Sequence, residues 1–180
     1  TIKKHRINYN EIKILFYSRI WCFLGSYKKG GIVNLEGYEA AYFKNQMAKV
    51  IYAMIDVILI SNNKYVSSYY KKIEVFKEFF SADYDSLNSY LSYALENKFS
   101  PSSDKILVSE IRSILSDLAS EFFKVFSSGL SLAYNKEING PEQIVRAFKR
   151  DHRLLIKKWM FNLFKPSRKN EFNELICRTY

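Results

Sequence analysis

The stretch YEAAYFKNQMAKVIYAMIDVILIS, Tyr38 to Ser61, decides the fold. Apolar residues recur in it every three or four positions: Phe43, Met47, Val50, Met54 and Ile58, widened by Ile51 and Ile55. This is the 3.6-residue repeat of a helix with one broad buried face. The same spacing puts Asn45, Lys49, Tyr52 and Asp56 on the other side, so Asp56 is expected to be a solvated charge. The run Val50 to Ile60 is too short to span a bilayer, and Asp56 interrupts it.

Helical periodicity continues in both directions. A helix is expected over Tyr9–Phe23, with Ile12, Leu15, Phe16, Ile20 and Phe23 inward and Gly25 as its stop. Gly30, Gly31 and Gly37 mark an irregular link, and Asn62-Asn63 ends the central helix. Ser67 or Ser68 can cap a helix running to Phe80, with Ile73, Phe76 and Phe80 inward. Asp83 can cap the next, with Leu87, Tyr90, Leu91 and Ala94 inward. Ser100-Pro101-Ser102-Ser103 reads as a loop. A long helix is expected over Asp104–Tyr134, its seam made of Ile111, Ile114, Leu115, Leu118, Phe122 and Val125, with a late break at Gly129. Asn139-Gly140-Pro141 opens another, because proline at the first helical position needs no amide proton. It runs to about Phe164, before Pro166, and a short helix over Lys169–Arg178 follows.

No internal repeat and no strand-like alternation is present, so the fold class is all-α: an antiparallel bundle of five to seven helices in one domain, 1–180. The ends, 1–8 and 166–180, are expected to be mobile. The start at Thr1, without an initiator Met, raises the expectation that the chain is part of a longer protein.

The net charge is +10, with the excess before about Phe80 and after Gly140. Such asymmetry points to an anionic partner, with nucleic acid or a nucleotide the usual one; the alternative is a lysine-rich solvated surface. Cys22 and Cys177 are far apart and match no zinc spacing, so no metal site and no cofactor are expected. Two thiols fit a reducing, cytoplasmic compartment.

Gly25-Ser26, followed by the basic stretch YKKGG, resembles the Gly-Ser turn that opens nucleotidyltransferase active sites. That turn needs acidic residues downstream to bind two divalent metals. Here Glu36 and Glu39 stand three apart on a loop entering a helix, and the residues before Gly25 read as helix rather than strand. The stretch is therefore read as a helix end and a basic link. The segment Arg19 to Phe80 nonetheless resembles the helical domain that follows the catalytic domain in nucleotidyltransferase-like proteins. The cues are Lys49, Ala53, Ile58 (in place of Leu), Tyr65, Ser68-Tyr69 and Lys72. The resemblance implies a four- or five-helix bundle packed beside a nucleotidyltransferase domain that this chain lacks; some such bundles belong to the HEPN class of helical domains. It covers under half of the chain. On the first helix, Arg19 lies near Ile12, Phe16 and Phe23. It is either a paired or snorkelling arginine or a phosphate contact facing that domain.

HEPN ribonucleases carry an arginine and a histidine four to six residues apart on a late helix, and Arg146 and His152 have five between them. The resemblance implies that His152 shuttles the proton of an RNA 2′-hydroxyl and Arg146 stabilises charge on the phosphate, without metal. Ala147 departs from the family, which places a polar residue after the arginine. Helical spacing puts Val145, Phe148, His152, Leu155 and Trp159 on one stripe, so His152 can equally be a core or interface histidine. Lys149, Arg150, Arg153, Lys157 and Lys158 concentrate positive charge beside it, and are the expected nucleic-acid contacts. Tyr and Phe could stack on unpaired bases, though most fall on core positions. Asp151 within this helix argues against a membrane surface.

Three functions follow. The first is a non-catalytic accessory bundle contacting nucleotide or RNA through the basic helix. The second is a HEPN-type ribonuclease, acting as a homodimer through Arg146 and His152. The third is a helical protein-interaction domain.

Overall fold

The structure is a computed structural model that describes residues 8–25, 31–140 and 142–147. It is an all-α helical bundle. Six helices follow in order: α1 (Asn10–Leu24), α2 (Gly37–Ser61), α3 (Tyr69–Phe80), α4 (Asp85–Ser89), α5 (Leu91–Phe99) and α6 (Val108–Tyr134). A further helical run covers 142–147.

α2 is the central pillar, in contact with α1, α3, α5 and α6. From Met47 to Ile60 almost every residue is buried, Tyr52 included. A helix packed on all sides buries both its faces. The expected outward stripe is therefore covered: Asn45 donates to the carbonyls of Asn97 (3.1 Å) and Lys98 (3.2 Å) at the end of α5. Asp56 is not the solvated charge its spacing suggests. It meets Lys72 of α3, Nζ to Oδ1 at 2.6 Å, with side-chain exposures of 15% for Asp56 and 5% for Lys72.

α1, α2 and α6 share the main core. Phe16 packs on Phe122 and Phe126, and Phe23 on Phe122, with ring centroids 5.1–5.4 Å apart. Each such ring, fully buried, contributes about 1.5–3 kcal/mol. Gly129 does not break α6. A methyl group there would stand 2.5 Å from Val57 Cγ1 and 3.1 Å from Ile12 Cγ2, so the glycine lets three helices approach closely.

Three boundaries differ from expectation. Asp83 does not cap a single helix. Tyr84 precedes α4, and α4 and α5 part at Tyr90, whose ring hydroxyl is tied to Asp117 of α6 at 2.8 Å. α6 starts at Val108 rather than Asp104, because Ile106 forms an isolated antiparallel bridge with Leu35. Leu35 N–H donates to Ile106 O (3.1 Å) and Ile106 N–H to Leu35 O (2.9 Å). The first amides of α6 then find side-chain acceptors, Leu107 N–H on Glu110 and Val108 N–H on Asn34. Ser68 caps α3 as expected, accepting from Lys71 N–H. Among the described residues, no helix is long and apolar enough to cross a membrane.

Candidate nucleic-acid interface

The bridge between Leu35 and Ile106 holds the link before α2 against the body of the bundle. A cleft of about 500 Å³ forms between that link, the second half of α1 and the first turns of α2. The volume is within the range of small-molecule sites. Ile32, Leu35, Phe43 and Ile111 give it apolar walls, and Arg19, Cys22, Gln46 and the carboxylate of Glu39 supply polar groups. The Cys22 thiol donates to Gln46 Oε1 at 3.3 Å, which joins α1 to α2. Tyr38 and Tyr42 also line the cleft; their rings stack at 6.1 Å, and Tyr38 is 80% exposed.

Arg19 is half-buried in this cleft, and its Nε finds no hydrogen-bond acceptor among the described residues. Its charge reaches two neighbours. Burial pushes the Cys22 thiol up, and Arg19 partly offsets that rise. Burial likewise raises the Asp56 carboxyl, against the opposing pull of Lys72 and then Arg19. Arg19 has Asp56 within electrostatic reach and a side-chain hydrogen bond to Cys22, and its buried Nε has no acceptor among the described residues.

The other expected site residues divide. Arg146 is described, is exposed, and pairs with Glu142 at 3.4 Å across one helical turn. His152, Lys149, Arg150, Arg153, Lys157 and Lys158 lie outside the described residues, so their relation to Arg146 is not described. Gly25 ends α1 with right-handed backbone, φ −67°, and Ser26 is likewise outside the described residues. Through the described helices, Lys and Arg are nearly matched by Asp and Glu. The excess positive charge therefore sits in the amino-terminal TIKKHRI, in the link at Lys28-Lys29 and beyond residue 147.

Most described aromatic residues are buried or pack against the core, as expected, while Tyr65, Tyr69, Tyr70, Phe79 and Phe99 are exposed. Tyr69 and Tyr70 open α3 and Phe99 closes α5, and side chains at helix ends have no neighbouring turn to cover them. That position was the available signal. Among the described residues no three His, Cys, Asp or Glu side chains gather as metal ligands.

Comparison with protein-family models, with curated proteins and with solved structures finds no match.

Proposed function

We propose that the chain is a non-catalytic helical accessory module of a nucleotidyltransferase-like protein, contacting nucleotide or RNA. The observation that carries this reading is Arg19: a guanidinium set in a cleft of about 500 Å³, with a buried Nε–H that finds no acceptor among the described residues. A phosphate oxygen is the natural acceptor for such a donor. The basic residues of the link, Lys28 and Lys29, adjoin the cleft in sequence, and those of the carboxy-terminal segment add the long-range attraction that polyanions feel. Lys149, Arg150, Arg153, Lys157 and Lys158 are the contacts assigned to that segment.

The test is nucleotide and RNA binding by the unaltered chain and by Arg19→Gln, in the presence of chelator. Glutamine keeps a polar side chain and removes the charge. The reading expects salt-sensitive binding without cleavage, weakened about tenfold by the substitution. Equal binding by both proteins would overturn it. Metal-independent cleavage that disappears in His152→Ala would instead establish the ribonuclease reading.

A further inference from the structure

Aromatic rings gather where α3 begins and α5 ends. Tyr69 meets Phe99 edge-on, with centroids 5.6 Å apart, and Tyr70 lies parallel to Phe99 at 6.0 Å and 6°. Tyr52 of α2 supports them from below, edge-on to Tyr69 at 4.8 Å. Phe99 is 55% exposed and Tyr70 58%, so these rings are paired with each other and not hidden in the core. Cations accompany them. Lys98 Nζ lies 5.1 Å from the Tyr69 centroid, and Lys72 Nζ lies 5.3 Å from it and 4.8 Å from that of Tyr65.

A second observation concerns position. Tyr38, Tyr42, Asn45, Lys49, Tyr52 and Asp56 are spaced three or four apart, so they share one stripe of α2. The stacked Tyr38 and Tyr42 stand at the Arg19 cleft, and Tyr52 stands under the aromatic group. Tyr42 and Tyr52 are ten residues apart in one helix, about 15 Å along its axis. The two aromatic groups thus flank the covered middle of that stripe, where Asn45 meets the end of α5.

From this the geometry points to a stacking platform for the unpaired bases of a single-stranded nucleic acid, made by Tyr69, Tyr70 and Phe99 with Lys98. The inference rests on the nucleotide reading for the course of the strand toward Arg19, but not for the platform itself. Ring faces accept any base, and ammonium groups beside them accept the phosphates between bases. The local charge fits that occupant. Lys98 is not among the described ion pairs, and Asp56, on the Tyr52 stripe, is engaged by Lys72; Glu74 and Glu96 are exposed acids on α3 and α5.

The experiment uses the full 180-residue chain. Fluorescence anisotropy compares a labelled oligoadenylate with a labelled duplex hairpin of equal length. Phe99→Leu and Tyr70→Leu keep an apolar side chain and remove the π face. Each is expected to weaken oligoadenylate binding about fivefold or more, with Phe99→Trp restoring it and the hairpin bound as before. Leucine variants that bind oligoadenylate as tightly as the unaltered chain overturn the platform, as does an unaltered chain that binds the hairpin equally well. If Arg19→Gln weakens binding and the leucine variants do not, the cleft reading survives alone. The reverse pattern keeps the platform and removes the cleft. Absence of binding at low salt overturns both, and leaves a protein as the partner of this surface.

Discussion

Lys72 Nζ stands 2.6 Å from Asp56 Oδ1, and the pair joins α3 to the centre of α2 beneath the rings of Tyr65 and Tyr69. Removing one partner leaves the other charge buried without compensation. Lys72→Met is expected to lose about 3 kcal/mol in urea unfolding, the lower end for buried pairs because Asp56 keeps some exposure. The double variant Asp56→Leu/Lys72→Met should lose clearly less than the two single losses added together. Strict additivity would show that the pair is not coupled.

The same pair sets a pH dependence. Burial raises the Asp56 carboxyl above its ordinary 3.8, and Lys72 is the larger of the two opposing influences. A raised carboxyl means that the folded chain holds the proton longer than the unfolded one. Stability from this group is thus present in acid and is lost as pH rises through the raised value. In Lys72→Met the carboxyl rises further. Its deficit should be largest near neutral pH and shrink as pH falls toward 4, the reverse of ordinary acid denaturation. A deficit that does not change with pH would contradict this account.

Gly129 is a point of contact between three helices. Gly129→Ala places a methyl group 2.5 Å from Val57 Cγ1, and Val57 is itself buried in α2. The favourable helix propensity of alanine is overridden by overpacking, with an expected loss of about 1–3 kcal/mol. Adding Val57→Ala should return part of that loss. A more stable Gly129→Ala variant would mean that α6 can shift at no cost.

Among the described residues four tyrosines, Tyr52, Tyr84, Tyr90 and Tyr93, are pushed upward by burial and contribute to alkaline stability. Burial pushes Tyr52 to about 12, and burial together with the Asp117 carboxylate pushes Tyr90 to about 12. Their ordinary value is 10.0. The stability they contribute is present below that value and is lost as pH rises from there toward 12. Tyrosinate absorbance should therefore lag behind that of free tyrosine, then rise together with unfolding. Tyr90→Phe should cost about 1 kcal/mol at neutral pH, from the lost bond to Asp117, and make the chain less sensitive to alkali. Unchanged alkaline unfolding in both Tyr90→Phe and Tyr52→Phe would contradict the assignment.

Helix identity was legible where the apolar repeat is long, as in α1, α2 and α6, since burial of one stripe needs no knowledge of the partner. What lay across from each stripe was not. Asp56 reads as solvated on its own helix, and only α3, by bringing Lys72, makes it a buried ion. Gly129 reads as a breaker because its use, close approach to Val57 and Ile12, depends on two other helices. The break at Tyr90 carries no Gly or Pro, and the late start of α6 reflects the pairing of Ile106 with Leu35, seventy-one residues away. Of the site, Arg19 was singled out by its apolar surroundings in sequence, and it does line a cleft. The grouping of Tyr69, Tyr70 and Phe99 was not readable, because it depends on the end of α5 meeting the start of α3.

The most direct measurement is the affinity of the full chain for a labelled RNA oligonucleotide across a series of salt concentrations. A partner held through phosphates predicts an affinity that falls linearly on logarithmic axes, with a slope of about −0.7 for each phosphate neutralised on a single strand. Several such contacts should therefore be visible, and fewer in Arg19→Gln. No binding at the lowest salt, or binding indifferent to salt, would contradict the account.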